Sequence, residues 1–241
     1  MTNAPTDLLY QRDAYLRDFE ARVVAVDERG MRVALDRTAF YPTGGGQPHD
    51  TERLEGGGRT AAVTGVRREG PLVWHELDGF LPAEGDEVRG VIDWERRHLL
   101  MRTHTALHIL CGVIWRDFDA KVTGGNMEPG RARMDFEFEN MKAELVREIE
   151  DKVNAEIAAA RPISVEFLGR DAADHDPDLI RTKINLLPKD IREVRVVTIE
   201  GLDRQADGGT HVARTDEVGG FAVTNYKSKG RANKRVEIEV R

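Results

Sequence analysis

The residues with the clearest capacity for chemistry are His104 and His108, in the stretch Arg102-Thr103-His104-Thr105-Ala106-Leu107-His108. The surrounding apolar spacing predicts a helix, and a separation of four places both imidazoles on one helical face. Two imidazoles so placed can hold one zinc ion. No glutamate follows the first histidine, which excludes the zinc-protease pattern. The pair therefore needs further ligands from elsewhere. Gln205-Ala206-Asp207-Gly208-Gly209-Thr210-His211-Val212 offers a carboxylate and a third imidazole, again four apart, in turn-rich sequence. Each half alone has an ordinary explanation. A helical histidine pair is commonly exposed or satisfied within a core, and Asp-Gly-Gly is commonly only a turn.

The chain around these residues is 241 residues long, enough for one large domain or two small ones. Its 40% hydrophobic content allows a real core, and its 33% charged content marks a solvated surface. No apolar run reaches membrane-spanning length and the N-terminus lacks a basic-then-apolar signal. A cytoplasmic protein with no membrane partner is expected. The single cysteine, Cys111, permits no internal disulfide. It falls near the histidine face, where it reads as a small buried residue rather than a ligand. A net charge of −7 argues against wholesale wrapping of nucleic acid. A local basic patch nonetheless exists at Lys227, Lys229, Arg231, Lys234 and Arg235, beside Tyr226. It is either a solvated hairpin or a nucleic-acid contact.

Several elements must position these side chains. Leu8 to Phe19 is a first strand or a short helix. Arg22–Val26 and Met31–Leu35 alternate around a turn and form a hairpin. Phe40 to Asp50 carries Gly44-Gly45-Gly46-Gln47-Pro48, where three glycines allow close backbone approach. No Lys-Ser or Lys-Thr follows, so it is not a Walker phosphate loop. Ala61–Arg67, Leu72–Leu77 and Val88–Asp93 are further short strands, which together suggest a small barrel. His75 in this series is structural or exposed. From Trp94 the periodicity becomes helical, to about Trp115. A strand follows at Ala132–Phe138, a long helix at Glu139–Ala160, and strands at Ile163–Leu168 and Val194–Ile199. The acidic stretch Asp171–Ile180 reads as a solvated loop or short helix, not a second metal site. Phe221–Tyr226 and Arg235–Val240 close the chain. The expectation is an α+β protein: an N-terminal small β-barrel over 1–93, then an α+β domain over 94–241 with an antiparallel sheet and two long helices.

Taken together, Gly44-Gly45-Gly46-Gln47-Pro48, His104-Thr105-Ala106-Leu107-His108 and Gly208-Gly209-Thr210-His211-Val212 resemble the alanyl-tRNA editing family. These are free-standing relatives of the alanyl-tRNA synthetase editing domain, and the order and spacing resemble the medium-length type with an N-terminal barrel. The resemblance covers essentially the whole chain. It implies a zinc-dependent carboxylic ester hydrolase acting in trans on mischarged tRNA(Ala). Ser-tRNA(Ala) is the substrate, with Gly-tRNA(Ala) a further candidate. It also implies the metal set His104, His108, position 207 and His211. Family members usually carry cysteine at the third of these, whereas this chain has Asp207. Asp207 either ligates zinc directly, the favoured arrangement, or orients a water or imidazole from behind three histidines. A carboxylate is harder than a thiolate, so other divalent metals are admissible. The resemblance further maps the serine-reading threonine to Thr123. It gives the loop Gly44, Gly45, Gly46 and Gln47 a place at the substrate entrance. The basic stretch is the candidate for contacts to the tRNA backbone. Zinc would either activate water and polarise the ester carbonyl, or anchor the tRNA 3′ end. Two rival functions fit the same ligands: a non-catalytic zinc-stabilised tRNA-binding module, and a metal-dependent hydrolase of a small ester or amide.

Overall fold

The computed structural model describes residues 4–138, 141–176, 179–180, 192–230 and 233–241. The chain divides into two compact units, Met1–His98 and Leu99–Arg241. The architecture is α+β, with a closed six-stranded barrel and further antiparallel sheets.

The first unit runs β1 (Asp7–Leu8), β2 (Asp18–Asp27), β3 (Arg32–Leu35), β4 (Arg37–Thr38), β5 (Glu52–Gly56), β6 (Arg59–Glu69), β7 (Leu72–Gly79) and β8 (Glu87–Ile92). Neither a long strand nor an α-helix occupies Leu8 to Phe19. A 3-10 turn at Leu9–Gln11 lies there, ahead of β2. The barrel closes in the order β2-β3-β7-β6-β5-β8. Alternation along the strands sends one face inward: Phe19, Ala21 and Val23 of β2 are buried, as are Val73 and Leu77 of β7. On β8 the interior position Gly90 must lack a side chain, because a Cβ there would lie 2.4 Å from the Phe19 ring. Phe19 in turn packs edge-on against Phe40, centroids 5.6 Å apart.

Among the buried polar groups of this unit are an ion pair and a histidine. Arg97 and Asp50 are fully buried and paired. Arg97 Nε donates to both carboxylate oxygens at 3.0 and 3.1 Å, and Nη1 donates to Ala14 O at 2.9 Å. Nη2 donates to Ala39 O and to Asp50 Oδ2, while the Tyr41 amide donates to Asp50 Oδ2 at 2.6 Å. The second group is His75, which is structural. Its Nε2 lies 2.9 Å from Thr38 Oγ1, and its Nδ1 lies 3.3 Å from Val33 O. The Phe40 amide already donates to the Thr38 oxygen. The hydroxyl proton is thus free to go to Nε2, leaving Nδ1–H for the carbonyl, which is a neutral imidazole satisfied on both sides.

Burial pushes His75 down to about 4. The unfolded chain therefore takes up this proton first, starting near the ordinary histidine value of about 6.5. Stability linked to His75 is complete above that value and falls as pH drops towards about 4, by up to ~1.4 kcal/mol per pH unit. Urea unfolding between pH 7 and pH 4 should show this slope in the native chain and a shallower one in His75→Leu. Equal slopes would refute it.

The second unit is built on α1 (Trp94–Phe118), which starts in the first unit and continues beyond Leu99. Asp93 caps it, its Oδ1 accepting the Arg96 amide at 3.0 Å. From Thr103 to Ile114 every residue is buried, so this stretch has no solvent face. It is followed by β9 (Val122–Glu128), β10 (Arg131–Phe136), α2 (Ala143–Ala158), β11 (Ile163–Gly169), α3 (Arg170–Asp174), β12 (Glu193–Ile199), β13 (Asp203–Ala206), β14 (Phe221–Gly230) and β15 (Asn233–Val240). Two antiparallel sheets result, β14-β15-β10-β9 and β11-β12-β13. The second long helix is α2, whose Val146, Ile149, Val153 and Ile157 face inward. The acidic stretch after β11 begins as the short helix α3. Among the described residues, no helix is long and apolar enough to cross a membrane.

Candidate metal centre

Two pieces of chain fold back on each other in the second unit. The first is α1, which presents His104 and His108 one turn apart and nearly fully buried. The second is the loop that leaves the β12–β13 hairpin. Gly201, at φ +70°, helps turn β12 into β13, and Ile199↔Asp203 through Val196↔Ala206 pair across it. One residue past β13, the Asp207 amide donates to Arg195 O at 3.1 Å, and Arg195 Nη1 donates to Asp207 O at 2.9 Å. The Asp207 carboxylate then folds over the loop, its Oδ2 accepting the Gly209 amide at 2.7 Å. Thr105 fastens the loop to the helix. Its hydroxyl oxygen accepts the Val212 amide at 3.2 Å and lies 3.2 Å from His211 Nδ1.

The result is a compact donor set. One ligand atom from each of His104, His108, Asp207 and His211 lies within 4.8 Å of all the others. The His104 and His211 rings stack at 4.4 Å, and His108 stands edge-on to both, at 5.1 and 4.6 Å. Asp207 Oδ1 is 3.6 Å from His104 Nε2 and 4.0 Å from His108 Nε2, while Oδ2 is 3.0 Å from His211 Nε2. Burial holds His104 well below the usual imidazole range, and the neighbouring histidines push the same way. Burial also lowers His211, to about 4, against the pull of Asp207. Burial opposes ionisation of Asp207, yet the facing histidines outweigh it and keep its pKa well below normal. For His108, burial acts downward but is outweighed by Asp203 and Asp207, and the net direction is up. At neutral pH this favours two neutral imidazoles and an ionised carboxylate, the forms that bind a divalent cation. Three nitrogens and one oxygen fit zinc, and also a harder divalent ion.

The other residues singled out from the sequence lie as follows. Thr123 is exposed on β9, its hydroxyl donating to Asn233 Oδ1 at 3.0 Å. The Gly44–Gln47 loop belongs to the first unit and closes on itself. Gly44 and Gln47 exchange backbone hydrogen bonds of 3.1 and 2.9 Å, and Tyr41 OH donates to Gly44 O at 3.0 Å. Gly45 and Gly46 have φ +57° and +85°, which explains the glycines. Gln47 is almost wholly buried, not presented to solvent. The basic stretch forms the β14–β15 hairpin, and much of its charge is engaged. Lys227 pairs with Glu237 at 2.7 Å, and Arg235 makes a two-pronged pair with Asp135 at 2.7 and 2.8 Å. Lys234 is buried, its amine donating to Gly230 O at 3.0 Å. Lys229 is exposed, and Arg231 lies outside the described residues. Sequence reasoning missed Asp203, Arg195 and Thr105. Asp203 and Arg195 sit on strands whose periodicity gives no hint of a polar partner, and only the adjacency of Thr105 to His104 was a signal.

A barrel unit followed by a unit with three imidazoles and a carboxylate around one point defines a candidate metalloprotein of two parts. Two family profiles match it. One is described as tRNA synthetases class II (A), over residues 12–96. The other is the threonyl and alanyl tRNA synthetase second additional domain, over residues 194–237, which includes Asp207 and His211. The chain is 37% identical to the "Alanyl-tRNA editing protein AlaX-M" of Methanosarcina barkeri, over 96% of this chain and 97% of that protein. It is 38% identical to the protein of the same name in Saccharolobus solfataricus, over 98% and 99%. It is also 39% identical to the "Alanine--tRNA ligase" of Pyrobaculum aerophilum, over 88% of this chain but only 24% of the ligase. The chain belongs to the alanyl-tRNA editing protein family.

Proposed function

We propose that this chain is a trans-editing hydrolase that deacylates tRNA(Ala) mischarged with serine, and with glycine, at a zinc-holding centre formed by His104, His108, Asp207 and His211. The observation that carries the reading is the convergence of four donor atoms from two distant segments within 4.8 Å. Full-length similarity to proteins named for alanyl-tRNA editing supports the substrate class. A zinc ion held there supplies Lewis acidity towards the ester. The chain's own residues do the rest. Asp207 would be a direct ligand, as its Oδ1 lies 3.6 Å from His104 Nε2 and 4.0 Å from His108 Nε2 while its Oδ2 accepts the Gly209 amide. Thr123 reads the substrate. Its proton is committed to Asn233, which leaves the oxygen lone pairs to accept a hydrogen bond from a serine hydroxyl. The loop Gly44, Gly45, Gly46 and Gln47 is a candidate for substrate contact through its backbone. Lys227, Lys229, Arg231, Lys234 and Arg235 are the candidates for contacts to the tRNA backbone, with Lys227 and Lys229 exposed among the described ones. The site of action is the cytoplasm, where tRNA is charged.

Deacylation of Ser-tRNA(Ala) set against Ala-tRNA(Ala) tests the reading. The chain should hydrolyse the first and spare the second. Thr123→Val should cut kcat/KM for the serine ester about 10- to 100-fold, because the serine hydroxyl then loses its acceptor. Equal hydrolysis of both esters would defeat the specificity claim. Binding of tRNA without turnover would instead indicate a non-catalytic module, and hydrolysis of small esters alone a hydrolase without an RNA partner.

A further inference from the structure

The four donors do not hold themselves in place, and one support lies outside them. His108 Nδ1 is buried and has no hydrogen-bond partner of ordinary geometry. The Asp203 carboxylate oxygen Oδ2 lies 3.4 Å from it. Asp203 is itself buried, its side chain 1% exposed, at the start of β13. The same Oδ2 accepts Gln205 Nε2 at 2.6 Å, and Gln205 Nε2 also reaches Cys111 Sγ at 3.4 Å. A buried carboxylate beside an otherwise unsatisfied ring nitrogen has one obvious use, since an unpaired buried donor costs free energy.

We propose that Asp203 is a positioning residue: it accepts the Nδ1–H of His108, fixes that tautomer, and so leaves the Nε2 lone pair aimed at the centre shared with His104, Asp207 and His211. The inference rests on the reading that this centre holds a metal. A shift of a few tenths of an ångström brings the 3.4 Å separation to ordinary hydrogen-bond length. Thr105 stands in the equivalent place behind His211, but as a neutral hydroxyl. Asp203 supplies the charged version, which makes the imidazole a stronger donor to the metal. Gln205 Nε2 also holds the carboxylate, and the buried Cys111 lies against that amide.

Two measurements decide the matter. Zinc affinity is read by competition with a chromophoric chelator on the whole chain and on Asp203→Asn and Asp203→Ala. The alanine variant should bind zinc about 10- to 100-fold more weakly. The asparagine variant, which keeps an acceptor but no charge, should fall between. The tautomer of His108 is read separately in the metal-free native chain at about pH 9, by long-range nitrogen–proton NMR, where imidazoles are neutral. The Nδ1–H form should dominate, and Asp203→Ala should move it towards Nε2–H. A residue that only stabilised the fold would leave the tautomer unchanged. Zinc affinity unchanged in Asp203→Ala overturns the proposal, and so does an Nε2–H tautomer in the native chain. If Asp203→Ala does not fold, the native tautomer and the asparagine variant still decide. A native chain that takes up no zinc refutes the metal centre instead, while the tautomer still judges Asp203.

Discussion

Replacing His104 or His211 with alanine is expected to remove bound zinc and to lower deacylation of Ser-tRNA(Ala) by about a thousandfold or more. Both imidazoles are buried, and their rings stack at 4.4 Å, so neither has a surface role that would mask the loss. His104 enters from α1 and His211 from the loop after β13, so each variant removes one of the two donors its segment supplies. Metal content by elemental analysis and single-turnover deacylation check the result together. Circular dichroism separates loss of the centre from loss of the fold. A His104→Ala protein that keeps full activity would defeat the mechanism. Asp207→Cys restores the residue that the resemblance expects, and should retain zinc. Asp207→Ala should lose most of it if the carboxylate is a ligand, and only part of it if it acts from behind three histidines.

Asp50→Ala should cost about 3 to 5 kcal/mol of stability, because it strands a buried guanidinium. Arg97 is fully buried, and its Nε contacts both oxygens of Asp50 at 3.0 and 3.1 Å. Nη1 and Nη2 also donate to Ala14 O and Ala39 O, and the side chain is closed off from bulk solvent. Arg97→Met alone should be comparably damaging, since it leaves Asp50 charged and buried. The double variant Arg97→Met with Asp50→Leu should recover much of the loss, as apolar replacement of a buried pair commonly does. Denaturant unfolding followed by fluorescence measures all three. A cost below about 1 kcal/mol for Asp50→Ala would show that the pair is weaker than its burial implies.

How much of this was legible follows from the range of each signal. His104 and His108 could be placed on one face because helical spacing is local. Asp207 and His211 could be placed in a turn because Gly208-Gly209 announces one. That the two segments meet is a long-range fact, and the co-occurrence of three separate motifs was its only trace. The barrel strands showed because alternation of two is local as well. Strand β9 did not, since Gly124-Gly125 lowers strand propensity at an edge held by cross-strand pairing with β10. Strand β5 was likewise missed, as Leu54 is its one apolar residue and a single position sets no period. The charge on the β14–β15 hairpin looked free because its partners are remote. Arg235 meets Asp135 a hundred positions earlier in sequence. Asp203 was invisible for the same reason, since nothing within β13 points to a histidine on α1.

The donor set at Asp207 contains no sulfur, and the one thiol of the chain is buried behind Gln205. Peroxide and thiol-alkylating reagents act on thiolates, so a centre of imidazoles and a carboxylate gives them nothing to attack. A relative with cysteine in that place would surrender a ligand as soon as it was oxidised. With a carboxylate at position 207, the four donors present an oxidant with no thiolate.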